Sequence, residues 1–120
     1  MVIVEPFAAY YYDTKKVRLN DVVVPPFDVI SESERKKFFK RHRCNFAKVI
    51  LGKDKNNGYK RGGTLFRKWK KEGILIHDSS PHFYLWQQTF KQGRNTLTRS
   101  GLAAEVLLNG FEKGEILPHE

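Results

Sequence analysis

The sequence predicts an α+β fold, in which a mixed or antiparallel sheet ending in a C-terminal hairpin carries two packed helices. Apolar residues 83–90 and 97–108 flank the polar segment 91–96, whose glycine suits a turn, and this pattern is typical of a β-hairpin. Upstream, two segments with helical spacing alternate with short β-prone runs. There are no internal repeats or low-complexity linkers, so we expect a single α+β domain over residues 1–120.

Charge and composition limit the partners that fit. The chain has 120 residues, with 22 basic and 13 acidic residues and a net charge of +9, which favours anionic partners such as nucleic acid, phosphates or nucleotides. Cys44 is the one cysteine, which excludes an internal disulfide and fits a reducing compartment. No window approaches the ~20 consecutive apolar residues of a membrane span, and the N-terminus lacks a signal-peptide pattern. We therefore expect a cytoplasmic protein with no membrane partner.

The N-terminal segment is predicted to be extended. Residues 2–12 are apolar and aromatic, and Pro6 interrupts their ladder of backbone donors. They therefore predict an edge strand or two short extended pieces. Residues 13–16 predict a turn, and residues 17–21 predict a further extended, polar stretch.

A stiff segment follows at residues 22–30. Pro25 and Pro26 fix their own φ angles near about −65° and keep Val24 out of the helical region. The segment is therefore predicted to cross the fold in an extended form, with Asp28 held at a defined place near its end. The Asp28 carboxylate either caps a turn or has a functional role, and the residues alone leave both interpretations open.

The first helix begins with a capping box. Ser31 is its N-cap and Glu34 lies three residues later, so we expect a helix that runs to about Arg43. Its many basic residues leave Phe38 and Phe39 as the clear core anchors. Such a positive face suits nucleic acid, and it equally suits a surface that is simply hydrated.

The second helix is predicted over residues 59–72, with Gly73 as its C-cap. Gly62 and Gly63 lie on its apolar stripe, where small residues would let the helix approach the sheet closely. An alternative interpretation makes residues 60–64 a phosphate-binding loop, but the spacing of a Walker motif is incomplete.

Short segments connect these helices to the hairpin. Residues 45–51 predict a second strand, and residues 52–58 form a loop rich in lysine and asparagine. After the second helix, residues 74–76 predict a short strand and residues 77–81 a turn.

The first hairpin strand is apolar on both faces. Tyr84, Trp86 and Phe90 share one face, and Phe83 and Leu85 share the other, which predicts a central, covered strand.

In the second hairpin strand, Gly101 interrupts the interior. A strand glycine marks a bulge, a close approach of backbone or ligand, or ordinary packing, and we prefer packing.

Few motifs point directly to catalysis. The four histidines show no metal-ligand spacing, so no metal site is expected. No G-x-S-x-G occurs and Cys44 has no partner identifiable from sequence, so a serine hydrolase or thiol enzyme has no support. Asp28, Glu105 and Glu120 are the acids that could serve as a base.

Five motifs, taken together and in order, resemble one family. Residues 24–30, VPPFDVI, resemble the V-x-x-P-P-Y-D-V-I element of the family catalogued as domain of unknown function 1015. The resemblance continues through the helix end at residues 69–75. Residues 83–88, FYLWQQ, resemble the family's Y-x-Y-x-Q strand, residues 93–102 its G-R-x-x-x-T-G-L with an insertion, and residues 114–120 its G-x-I-x-P-H-E.

The resemblance implies a larger protein. Family members are several-fold longer and continue into a D-G-H-H-R segment, which resembles a phosphate-handling motif of the ParB and sulfiredoxin superfamily. Some members of that superfamily are free-serine kinases. This sequence contains no D-G-H-H-R. It is therefore expected to be a fragment, the N-terminal portion of a small-molecule kinase for L-serine, and to be inactive alone. Phe27 replaces the family's tyrosine, which removes a hydroxyl.

The resemblance also assigns roles to residues. Asp28 or Glu120 is the expected catalytic base, His119 a hydrogen-bonding partner, and Arg94 and Arg99 are expected phosphate contacts. No cofactor is expected in this chain, whereas the full-length protein would use ATP, ADP or pyrophosphate with Mg²⁺ as phosphate donor. The residues with an expected structural role are Pro25, Pro26 and Gly101.

Two further hypotheses belong to other classes. A basic nucleic-acid-binding module would use the net charge of +9, the basic helix at residues 35–43 and the tyrosines at residues 10–12 for stacking. No RNP-like, zinc-finger or helix-turn-helix pattern accompanies them. The third hypothesis is a structural or substrate-recognition lobe without independent activity. The sequence specifies no oligomeric state.

Overall fold

The computed structural model of this protein describes residues 1–52 and 58–114. The chain divides into two compact units, which we call the helical unit, Tyr10–His77, and the hairpin unit, Met1–Ala9 together with residues 78–114. Helices and antiparallel strand pairs are both present, which confirms the α+β class. The organisation of the whole chain as a single domain stays a prediction.

The strands of the described residues form three separate antiparallel pairs instead of one larger sheet. They are β1 (Val4–Glu5) with β6 (Glu105–Val106), β2 (Tyr10–Tyr12) with β3 (Leu75–His77), and β4 (Tyr84–Gln92) with β5 (Asn95–Ala103).

The α-helices of the described residues all lie in the helical unit. They are α1 (Leu19–Val22), α2 (Glu32–Arg41), α3 (Ala47–Ile50) and α4 (Gly58–Lys71). Among the described residues, α4 packs on the β2–β3 pair and α2 packs on α3. No helix in residues 1–52 and 58–114 is long and apolar enough to cross a membrane.

The capping box at the start of α2 is confirmed. The Ser31 hydroxyl accepts a hydrogen bond from the Glu34 amide at 3.3 Å, and the Glu34 carboxylate accepts one from the Ser31 amide at 2.9 Å. Hydrogen bonds from Ser31 hold the pKa of the exposed Glu34 carboxyl below its usual range. The helix ends at Arg41, two residues before the predicted end.

The core of the helical unit lies where α4 meets β3 and the chain between β2 and α3. Trp69 on α4 is 2% exposed and packs at 6.3 Å, ring to ring, against Tyr12 on β2. The Tyr12 hydroxyl donates a hydrogen bond to the Cys44 carbonyl oxygen at 2.8 Å, which links β2 to the segment before α3. The buried apolar side chains of this cluster are Val17, Val22, Cys44, Trp69, Ile74 and Leu75.

The end of α4 follows the prediction. Gly73 has a φ of +64°, its amide bonds to the Lys70 carbonyl at 3.1 Å, and the Ile74 amide bonds to the Trp69 carbonyl at 2.9 Å. This pair of bonds is a Schellman C-cap, which requires the left-handed conformation that glycine adopts without strain.

The two glycines within α4 have different surroundings. A Cβ atom at Gly62 would overlap the Val49 carbonyl oxygen and lie 3.2 Å from its carbon, so Gly62 lets α4 pack closely on the α3 backbone and not, as expected, on the sheet. A Cβ atom at Gly63 would meet only the Arg67 guanidinium at 3.5 Å. Because both glycines are helical, the phosphate-loop interpretation of residues 60–64 is wrong.

Two predicted extended segments are short helices. Residues 17–21 were expected to be extended, but they lead into α1, and residues 45–51 were expected to be a strand, but they contain α3. Asn45 explains the second difference, because its buried side chain accepts a hydrogen bond from the Ala47 amide at 3.1 Å and donates one to the Asp21 carbonyl at 2.8 Å. These bonds begin a helical turn where β-branched residues favoured a strand.

The N-terminal predictions are largely confirmed. Residues 2–12 contain two short strands on either side of Pro6, and Phe7 forms an isolated antiparallel bridge with His82. Residues 13–16 form a turn, closed by a 2.9 Å bond from the Lys16 amide to the Asp13 carbonyl. The short strand predicted at residues 74–76 is β3, shifted by one residue.

The hairpin is confirmed, with a tighter turn than predicted. Gly93 (φ +60°) and Arg94 form a two-residue turn of type II′, so both strands extend into the predicted loop. The second strand breaks after Ala103, and Glu105–Val106 pairs with β1. Leu85 is 70% exposed, and in the described residues β4 pairs only with β5, so the expectation of a central, covered strand is wrong.

Burial of Tyr12 predicts a loss of stability at alkaline pH. Burial, with a contribution from the Cys44 thiolate, raises the pKa of Tyr12 above its ordinary value of 10.0. The unfolded chain therefore loses this proton first, and the free energy of unfolding should fall as pH rises above about 10. Burial also raises the pKa of Cys44 from its usual 9.0, which adds to the fall in every variant that retains the thiol.

Tyr12→Phe should flatten this decline, although loss of its hydrogen bond costs about 1 kcal/mol at neutral pH. Tyr11→Phe, at an exposed position, is the control. Urea unfolding from neutral pH to about pH 12 measures the effect. An equally steep decline in Tyr12→Phe would exclude Tyr12 as its source.

Candidate functional site

Asp28 lies on a turn that two prolines precede. Phe27–Val29 forms a single 3₁₀ turn, closed by bonds from the Val29 amide to the Pro26 carbonyl at 3.2 Å and from the Ile30 amide to the Phe27 carbonyl at 3.4 Å. Asp28 is exposed, and its carboxylate forms no hydrogen bond or ion pair with the described part of the chain. It can therefore accept a proton or hydrogen bond from an external group.

The neighbours of Asp28 also face outward. Phe27 is 68% exposed and Val29 is 63% exposed, whereas Val22, at the end of α1, is completely buried. The prolines thus separate a segment that packs in the core from one that presents two apolar side chains and one acid at the surface. Packing within the helical unit gives no reason for this combination.

Arg94 and Arg99 lie on the β4–β5 hairpin. Arg94 occupies the turn, and Arg99 lies opposite Gln88, to which its guanidinium donates a hydrogen bond at 3.2 Å. The guanidinium carbon of Arg99 also lies 5.8 Å from the centre of the Phe90 ring. Both arginines are exposed, so either guanidinium can reach an external anion by a change of rotamer.

Gly101 accommodates a neighbouring indole. It lies opposite Trp86 in the hairpin, and a Cβ atom at Gly101 would lie 2.8 Å from Trp86 Cζ2 and closer still to other indole atoms. The side chain of Trp86 therefore covers the bare backbone across the strand pair, in agreement with the packing interpretation of this glycine.

The predicted site residues are divided between the two units. Arg94 and Arg99 belong to the hairpin unit, and Asp28 belongs to the helical unit with the two prolines before it. His119 and Glu120 lie outside the described residues. The roles assigned to all five residues therefore stay predictions.

The hairpin unit contains a polar cluster that was not predicted from the sequence. The Tyr84 hydroxyl donates a short hydrogen bond to Asp78 Oδ2 and accepts one from the Ala9 amide at 2.9 Å. His82 Nδ1 lies 4.0 Å from the same carboxylate oxygen, and the Phe7 ring lies 5.0 Å from the Tyr84 ring. Through these two hydrogen bonds, the Tyr84 hydroxyl joins the N-terminal segment to β4. The D-x-x-x-H-x-Y spacing was its only signal in the sequence.

Basic residues are concentrated in one unit. The sequence of the helical unit contains 18 of the 22 basic residues and 7 of the 13 acidic ones, a net charge of +11, whereas the remainder has 4 basic and 6 acidic residues, a net charge of −2. Within the two described ranges, no three His, Cys, Asp or Glu side chains form a group that could hold a metal ion.

The chain matches a known family model. The model of a family described as "Protein of unknown function (DUF1015)" matches residues 4–120, which include all five motifs. This confirms the resemblance seen in the sequence. Searches of curated proteins and of solved structures each gave no match.

Proposed function

Because this chain belongs to the DUF1015 family, we propose that it is the N-terminal portion of a small-molecule kinase that phosphorylates free L-serine. ATP, ADP or pyrophosphate with Mg²⁺ would supply the phosphoryl group in the cytoplasm. The 120 residues would contribute to binding and orienting the acceptor, and would be inactive alone.

The exposure of Asp28 carries this proposal. Transfer of a phosphoryl group to a serine hydroxyl needs an acceptor for the hydroxyl proton, held within hydrogen-bonding distance of the oxygen. Asp28 has a suitable carboxylate on a short turn that Pro25 and Pro26 restrict, and no described side chain competes for it. In this proposal Asp28 is the base, with Glu120 as the alternative and His119 as a hydrogen-bonding partner.

The arginines of the hairpin would contact phosphate. Arg99 has one hydrogen bond to a neutral amide at the surface, which an ionic bond to phosphate can replace at little cost. Arg94 follows Gly93 in the turn. Gly93 adopts the positive φ angle that the turn requires, and the Arg94 side chain is exposed. A guanidinium at either place would offer two parallel N–H donors to phosphate oxygens.

The described residues do not provide a complete site for the phosphate donor. Mg²⁺ in phosphate-transferring sites is held by one or two carboxylates together with phosphate oxygens, and Asp28 could provide at most one such ligand. We therefore assign the donor and its metal to the D-G-H-H-R segment that family members carry, and we derive no step of the reaction through them.

The test is formation of O-phospho-L-serine by the full-length protein. L-serine is supplied with ATP, ADP or pyrophosphate and Mg²⁺, and phosphorus NMR detects the ester. We expect product with one of the donors and none with D-serine, because a site that orients the hydroxyl must distinguish the enantiomers. Absence of product with all three donors would reject the proposal.

The charge distribution favours nucleic-acid binding as a second candidate. The helical unit has a net charge of +11. However, Arg35 covers the Phe39 ring and Arg41 covers the Phe38 ring, each at 4.8 Å from the ring centre, where a base would otherwise stack. This candidate requires saturable binding at physiological salt, because salt-sensitive binding without a defined site size reflects counterion release alone. Absence of both activities would leave the structural lobe as the function.

A further inference from the structure

We propose that the free edge of β2 binds an extended acidic peptide, which adds a strand to the β2–β3 pair. The inference is independent of the kinase proposal, because it rests on other residues. The Asp13 amide bonds to the Ile74 carbonyl at 2.9 Å, and the Asp78 amide bonds to the Ala9 carbonyl at 3.0 Å. In an antiparallel strand pair, hydrogen-bonded and non-hydrogen-bonded residue pairs alternate. Tyr11 and Ile76 therefore exchange backbone hydrogen bonds with each other.

The same alternation turns the backbone N–H and C=O groups of Tyr10 and Tyr12 away from β3. These groups form no hydrogen bond with the described residues. They are spaced two residues apart on one edge, as the groups of an incoming antiparallel strand require.

The cavity beside this edge measures about 290 Å³, which is too small for a folded partner. Val23 and Val24 also line this cavity, and the Val24 amide and carbonyl have no partner among the described residues. A strand added to the edge of β2 would lie beside this apolar lining, where its side chains could pack. The lining residues are Tyr10, Tyr11, Tyr12, Val23, Val24, Phe46, Phe66 and Leu75.

Charge decides the chemistry of the peptide. The Lys70 ammonium lies 4.7 Å from the ring centre of Tyr10 and 5.4 Å from that of Phe66, two residues that line the cavity. The helical unit as a whole has a net charge of +11, which repels a second copy of itself and attracts an acidic segment. A peptide with alternating acidic and apolar residues matches both the apolar lining and the surrounding charge, in the strand-addition mode of peptide recognition.

Hydrogen exchange tests the pairing directly in the unmodified chain. The probe is a blocked peptide of alternating glutamate and valine, about six residues long. We expect the Tyr11 amide to exchange slowly with or without peptide, and the Tyr10 and Tyr12 amides to become at least about tenfold slower only when it is added. Unchanged exchange of the Tyr10 and Tyr12 amides at a saturating peptide concentration would overturn the proposal. Slower exchange of these amides at higher protein concentration without peptide would also overturn it, because that result indicates self-association.

A matched pair of variants separates backbone from side-chain contributions. Tyr10→Ala and Tyr10→Pro both remove the ring, but only proline removes the outward N–H, which the β2–β3 pair does not use. We expect the proline variant to bind the peptide about tenfold more weakly than the alanine variant, as measured by fluorescence anisotropy. Equal affinities of two folded variants would overturn strand addition.

The charge argument has its own controls. Lys70→Gln should weaken binding about threefold and reduce its dependence on salt. A peptide with lysine in place of glutamate should bind more weakly than the acidic peptide to the parent chain. Equal or tighter binding of the lysine peptide would exclude an acidic partner.

Discussion

Asp28→Asn is expected to lower the rate of L-serine phosphorylation by the full-length protein by about 10²–10⁴-fold, the usual contribution of a general base. Asparagine keeps the size and polarity of the side chain but cannot accept the hydroxyl proton. Because the exposed Asp28 carboxylate forms no bond with the described residues, the free energy of unfolding should change little.

Asp21→Asn is the matched control for this variant. Asp21 lies in the same unit, and its carboxylate is 4.0 Å from the Arg18 guanidinium, a surface ion pair of small energetic value. Turnover of this variant should equal that of the parent protein. If Asp28→Asn retains full turnover, Asp28 is not the base, and Glu120 is the next candidate to substitute.

Gly62→Ala is expected to destabilise the helical unit by about 2 kcal/mol, because the added methyl overlaps the Val49 carbonyl and forces α3 and α4 apart. The neighbouring Gly63→Ala should instead stabilise it by about 1 kcal/mol, since the new methyl meets only the mobile Arg67 side chain and alanine favours the helix. Urea unfolding of both variants and the parent measures these changes.

The two substitutions make the same chemical change at adjacent helical positions, so helix propensity alone predicts the same sign for both. Opposite signs would therefore demonstrate close backbone packing between α3 and α4. Stabilisation by both variants would contradict the position of α3 against Gly62.

Local signals predicted those parts of the fold that local interactions determine. Three such features are present: the Ser31–Glu34 capping box, the Gly73 C-cap and the interruption at Pro6. The two caps depend on hydrogen bonds within a few residues, and the interruption depends on the backbone donor that proline lacks. The strand predicted at residues 45–51 was wrong. Their β-branched side chains favour a strand, but the buried Asn45 side chain forms a hydrogen bond with Asp21, 24 residues away. A sequence pattern does not reveal such a partner.

The hairpin shows a second limit. Alternating apolar residues correctly located both strands, but an apolar face predicts burial only if another element covers it. No other described strand pairs with β4, which leaves Leu85 at the surface. The change of partner after Ala103, where Glu105–Val106 pairs with β1, likewise depends on a segment 100 residues earlier in the chain.

The candidate site was predicted by family resemblance more than by physical pattern. The motif of residues 24–30 indicated Asp28 and its prolines, and the structure adds that the acid is exposed on a closed turn. The cluster of Asp78, His82 and Tyr84 was missed, because its partner Ala9 is distant in sequence.

Thermal unfolding of this chain with millimolar L-serine tests the central claim that these residues carry part of the serine site. A ligand at about 100 times its dissociation constant adds about 2.7 kcal/mol, which raises the midpoint by several degrees in a chain of this size. We predict such a rise with L-serine, none with D-serine, and a smaller rise in Asp28→Asn. Identical midpoints with L-serine, D-serine and buffer would contradict the claim.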